Sequence, residues 1–155
     1  MNILKKFTLI IIGILIQASV FNLLTIENVK PDILLVIVIC ISLIYGAEQG
    51  MLFGFLSGLS EDILLGGILG MNAFVKTIIG FFIGISNEKL FGVSTTTQII
   101  ITFFATVLEG GIVYLILSIF QYNVSAFGNF LYVIFLSAFY NILLVIIIFP
   151  KINKW

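Results

Sequence analysis

Four ionisable residues stand inside stretches that are otherwise almost continuously apolar: Glu61, Asp62, Lys76 and Glu109. If those stretches lie in lipid, an ionised side chain costs about 2.5–3.5 kcal/mol on insertion scales, so each needs a partner or a purpose. The residue types permit ion pairing, hydrogen bonding between helices, or relay of a proton. They do not suggest an enzyme. The chain has no histidine, no Gly-x-Ser-x-Gly elbow, no His-Glu-x-x-His pair and no arginine to grip a phosphate. Glu61 and Asp62, adjacent on a helix, project about 100° apart and do not form a catalytic dyad. The single cysteine, Cys40, lies in an apolar run. It excludes an internal disulfide and a Cys/His metal site, and reads as a small packing residue. No cofactor is expected.

Spacing suggests how these groups meet. Asp62 precedes Gly66 by about one helical turn, and Lys76 follows Gly70 by somewhat more. On adjacent antiparallel helices the two reach similar depth, which predicts an Asp62–Lys76 ion pair. The alternative is that each snorkels separately to the interface. Glu109 falls near the middle of its segment, followed by Gly110-Gly111. A buried polar contact to a neighbouring helix is expected there, with Gln17, Ser19, Asn72 and Asn141 as candidate neighbours. A relay or ligand role is the sharper alternative.

The elements that must position these side chains are membrane segments. Of 155 residues, 61% are hydrophobic and 9% charged, against about 25% charged in soluble domains; mean hydropathy is +1.31. Phe occurs 16 times, which reads as lipid-facing filler. The seven basic residues are all lysines, scattered singly or in pairs, and give no nucleic-acid footprint. Measured against the about 17–25 residues needed to cross a bilayer, six segments emerge: about 7–24, 32–45, 47–65, 71–86, 97–120 and 127–149. They form one all-α domain. The first follows Lys5-Lys6 without a cleavage signal and reads as a retained anchor. Pro31 opens the second, with Asp32 where the helix dipole favours an anion, and Pro150 ends the sixth. The second and fourth are short, so five spans plus a re-entrant one is the alternative.

The third segment carries glycines at 46, 50, 54 and 58, every fourth residue, with Asp62 next along the same track. On a helix this makes one nearly bare ridge. Each interior glycine costs about 1 kcal/mol relative to alanine, yet in lipid such a ridge lets another helix approach closely. Gly46, Gly50, Gly54, Gly58 and Asp62 are therefore the candidate packing or partner-contact set. An even number of spans puts both termini on one face with Lys5, Lys6, Lys89, Lys151 and Lys154, leaving Lys30 on the other. The positive-inside rule then makes both termini cytoplasmic.

The run Pro31-Asp32-Ile33-Leu34-Leu35, then Gly46, Gly50, Gly54-Phe55-Leu56, Gly58-Leu59-Ser60-Glu61-Asp62 and Leu69-Gly70-Met71-Asn72-Ala73 resembles the rod shape-determining protein MreD family. The likeness covers about residues 30–86; elsewhere it extends only to length, hydropathy and segment number. The resemblance implies a non-enzymatic, multi-pass scaffold of the bacterial cytoplasmic membrane that serves cell elongation and peptidoglycan synthesis. It implies MreC as partner and a wider complex with MreB, RodA and a class B penicillin-binding transpeptidase. It also implies a fold similar to the S components of energy-coupling-factor transporters. The ridge would pack against a neighbour, either internal or MreC's single span, and self-association is left open.

Two other functions compete. A vitamin-binding S component needs an outward pocket with convergent polar groups and a small-residue docking patch on the first helix, where this chain has only Gly13 and Ala18. A small ion or proton transporter would use Glu109, Lys76 and Asp62.

Overall fold

The computed structural model describes residues 8, 11–15, 17, 29–65, 68–87, 94–120 and 127–153. Within them the chain is all-helical. After helical residues 11–15 and 17 come α1 (Ile33–Tyr45), α2 (Ala47–Leu65), α3 (Met71–Asn87), α4 (Thr95–Ile119) and α5 (Phe127–Ile152). The first expected segment and the lysines at 5, 6, 89 and 154 fall largely or wholly outside the described residues.

Local chemistry sets the helix ends. The Asp32 carboxylate accepts from Leu35 N at 2.8 Å and starts α1, while Gly46, at φ +84°, stops it and leads directly into α2. Gly70, at φ +91°, turns the chain into α3; the left-handed region is free of strain only without a Cβ. Ser94 caps α4, its Oγ accepting from Thr97 N, so that helix begins two residues before the expected start. The expected stop at Pro150 is not observed. α5 runs through it to Ile152, and Asn153 N still donates to Phe149 O at 2.9 Å. A proline removes one hydrogen bond and crowds the carbonyl four residues back, which is a small disruption so close to the helix end.

α1 is the axis of the bundle. Every residue from Ile33 to Leu43 is buried, and the helix touches α2, α3, α4 and α5. An apolar sequence all round is what a helix packed on all sides requires. Its 13 residues extend only about 20 Å, short of a hydrocarbon layer of about 30 Å. α2 and α3 form the closest-packed pair, and α4 with α5 the next. Among the described residues, α4 and α5 are long and apolar enough to cross a membrane; α1 and α3 are shorter apolar helices.

The surface is arranged inside out. Phe55, Phe74, Phe82, Phe104, Phe135 and Ile147 are each about half exposed or more, whereas Lys76, Asp62, Glu109, Asn141 and Thr102 are buried. An outer apolar surface this extensive is rare on water-soluble monomers. Polar groups gathered inward, away from lipid, are the membrane arrangement.

Candidate functional site

The glycine ridge faces α3. A Cβ on Gly50 would collide with the Gly80 carbonyl, one on Gly54 with the Lys76 carbonyl, and one on Gly58 with the backbone of Asn72 and Ala73. The relation is mutual, since Gly80 and Gly84 lie against the backbones of Gly50 and Ala47. The two helices thus touch main chain to main chain over most of their length, and the neighbour expected for the ridge is internal. Gly46 plays a different part from the one expected. Nothing lies within 4 Å of a Cβ built there, and its role is the left-handed stop of α1.

Asp62 does not pair with Lys76. Its Oδ2 accepts from Gly70 N at 2.9 Å and Ala73 N at 3.2 Å, and its Oδ1 from Asn72 N at 3.2 Å and Asn72 Nδ2 at 2.9 Å. One carboxylate therefore satisfies amides at the start of α3 that have no helical partner, at the helix end where the macrodipole favours an anion. The physical reason is rotation. Asp62 continues the glycine track and so points at the α3 N-terminus, while Glu61, about 100° away, points into the bundle.

Lys76 is wholly buried and lies among three carboxylates from three other elements. Its Nζ is 2.6 Å from Asp32 Oδ2, 3.0 Å from Glu61 Oε2 and in short contact with Glu109 Oε1. The cluster joins α1, α2, α3 and α4. A buried ammonium persists in a protein interior only with such compensation. Among the described residues no group of His, Cys, Asp and Glu is arranged to hold a metal ion; the positive charge between these carboxylates is the lysine's own.

A second tier of polar contacts fixes the acids. Asp32 N donates to Asn141 Oδ1 at 2.8 Å, and Asn141 Nδ2 donates to Thr106 Oγ1 at 3.1 Å, bringing α5 and α4 to the head of α1. Ile33 N donates to Gln17 Oε1 at 2.9 Å, adding the N-terminal segment. Gln17, Asn72 and Asn141 were expected around Glu109. Instead they serve the helix starts at Asp32 and Asp62, and Glu109 finds Lys76. Ser19 lies outside the described residues.

Sequence reasoning placed Asp32 at the first turn of the second segment but left it out of the intramembrane ionisable set. The available signal was the shortness of the second segment. A helix of about 20 Å cannot reach both faces of the bilayer, so the group that caps it can sit at membrane depth.

Beside the cluster lies an open cavity of about 470 Å³. Asp32, Glu61, Glu109, Thr106 and Asn141 line its polar end. Moving along α4 and back along α5, the lining passes through Val113 and Ser137 to Leu117 and Phe130. Tyr114 and Phe130 pack ring to ring there, with centroids 4.0 Å apart.

Scanned against known protein families, the chain matches the rod shape-determining protein MreD over residues 1–154. It belongs to the MreD family. Neither the curated proteins nor the solved structures returned a match. This MreD-family protein is accordingly a shape-determining membrane protein, a component of the rod-shape system. The family match extends beyond residues 30–86, where the recognisable motifs lie, to almost the whole chain. The motif residues have separable tasks here: Pro31-Asp32 begins the axial helix, the glycines bring α2 onto α3, and Asp62 anchors the turn between them.

Proposed function

We propose that the protein is a non-catalytic, multi-pass scaffold of the bacterial cytoplasmic membrane, with six membrane segments and both termini in the cytoplasm. In this reading it holds MreC within the rod complex and, through that complex with MreB, RodA and a class B penicillin-binding transpeptidase, supports peptidoglycan synthesis. The observation that carries this reading is the internal use of the polar inventory. Lys76 is engaged by three carboxylates, Asp62 by the head of α3, and the glycine ridge by the α3 backbone. What remains for a partner is the outer apolar wall, suited to another transmembrane helix through van der Waals packing. The contact with MreC therefore moves from the ridge to outward residues such as Phe82, Phe104, Leu108 and Phe135, all well exposed.

The test is a photo-crosslinking scan in cells producing both proteins. Probes on the outward faces of α3, α4 and α5 are expected to capture MreC from one contiguous patch, and probes at Gly54 or Gly58 to capture none. Failure to capture MreC from every outward position would defeat the scaffold reading. The rival binding-protein reading has one observation in its favour, the polar-ended cavity.

A further inference from the structure

The cavity beside Lys76 is poorly explained by packing alone. Its volume of about 470 Å³ falls within the roughly 300–1,000 Å³ range of small-molecule sites. Its two ends differ in chemistry: carboxylates, amides, a lysine and a threonine hydroxyl at one, mainly aromatic and aliphatic side chains at the other.

The charge at the polar end is unbalanced. Asp32, Glu61 and Glu109 surround the single ammonium of Lys76, and among the described residues lining the cavity Lys30 is the one cation. The hydrogen bonding is incomplete as well. Lys76 Nζ donates to Asp32 and Glu109, whereas Glu61 Oε2 is held by the ion pair alone, 3.0 Å from Nζ and without hydrogen-bond geometry. Glu61 is only 9% exposed, and it lines the cavity. A buried carboxylate oxygen without a donor is destabilising. The excess of negative charge in a medium of low dielectric strength disfavours an anionic guest and favours a cationic one.

We propose that this cavity binds a small amphiphilic organic cation, its ammonium group at Asp32, Glu61 and Glu109 and its apolar body against the Tyr114–Phe130 pair. The guest's N–H groups supply the donor that Glu61 lacks, and its charge offsets the acidic excess. The aromatic pair adds apolar contact for the body. Binding is independent of the contact with MreC. A primary ammonium could be carried by a soluble amine or by the headgroup of a lipid such as phosphatidylethanolamine, and the two sources are separable.

The full chain, purified in detergent, is titrated calorimetrically with phenethylamine and with phenethyl alcohol, its neutral counterpart. In a parallel arm, native mass spectrometry counts lipid retained after release from nanodiscs of phosphatidylethanolamine or of phosphatidylglycerol. Saturable binding of the amine, at least roughly tenfold weaker for the alcohol, supports a soluble cation. Selective retention of phosphatidylethanolamine without amine binding supports the lipid source. Glu109→Gln should weaken either signal but also disturbs the partners of Lys76. Ser137→Phe is the cleaner variant, because it fills the cavity and leaves the ionic cluster intact. It is expected to abolish binding while the ligand-free protein melts as the wild type does. Binding of neither probe, equal binding of amine and alcohol, or binding undiminished in a folded Ser137→Phe protein would overturn the proposal.

Discussion

Lys76 and Asp62 illustrate how one residue of helical offset changes a partner. Depth alone makes them a plausible pair, and both are buried, but Lys76 reaches Glu61 on α2 and Asp62 reaches the amides of Gly70, Asn72 and Ala73. Exchanging them as Asp62→Lys with Lys76→Asp should therefore restore nothing. Lys76→Asp adds a fourth acid to the cluster, with a cost of at least about 3–5 kcal/mol. Asp62→Lys leaves backbone donors unsatisfied and brings a cation to the positive end of α3, with a cost of at least about 1–3 kcal/mol. Melting of the purified double variant at or below the lower single variant is the expected result; recovery toward wild type would mean that the two residues pair after all. That these four groups need partners was legible from their apolar surroundings. Which partner each takes was not, because it depends on helix rotation and on where α1 begins.

The α2–α3 contact was more readable, since a glycine every fourth residue specifies a face and a face without side chains specifies a close neighbour. The spacing could not say that the neighbour is α3, nor that Gly80 and Gly84 complete the contact from the other side. A contrast between two glycines tests the assignment. At Gly54 a Cβ would overlap the Lys76 carbonyl, a backbone atom that cannot swing aside; at Gly111, in the interior of α4, it would meet nothing within 4 Å. Gly54→Ala should destabilise by about 1–3 kcal/mol or more through overpacking. Gly111→Ala should be neutral or stabilising by up to about 1 kcal/mol, the helix-propensity difference. Equal effects in thermal melts would argue against a main-chain contact at Gly54. Gly46 and Gly70, both at positive φ, stand at helix boundaries as glycine punctuation implies. Pro150 does not act as such a boundary, because it falls too near the end of α5 to stop the helix.

Taken whole, the bundle is organised around a short, largely apolar axis buried from Ile33 to Leu43. At its head Asp32, Glu61, Lys76 and Glu109 draw four helices together, and Asn141 adds the fifth through Asp32 N. Composition announced a membrane protein with little outside the lipid; it could not announce a polar centre assembled from residues 32 to 141. The shape-determining role then falls to a body whose buried polar groups are turned inward and whose described outer wall is apolar.

The ionic cluster at that centre is tested most directly by the melting temperature of Lys76→Met, purified in detergent beside wild type and an exposed control, Lys151→Met. Loss of the ammonium leaves two buried carboxylates, Glu61 and Glu109, and the partly buried Asp32 uncompensated, a cost of about 3–5 kcal/mol. At about 2–4 °C per kcal/mol for a chain of this size, Lys76→Met should melt on the order of 10 °C lower, with Lys151→Met unchanged. A Lys76→Met protein that melts with wild type would contradict the account, because a lysine held by three carboxylates at the centre of the bundle cannot be removed without consequence.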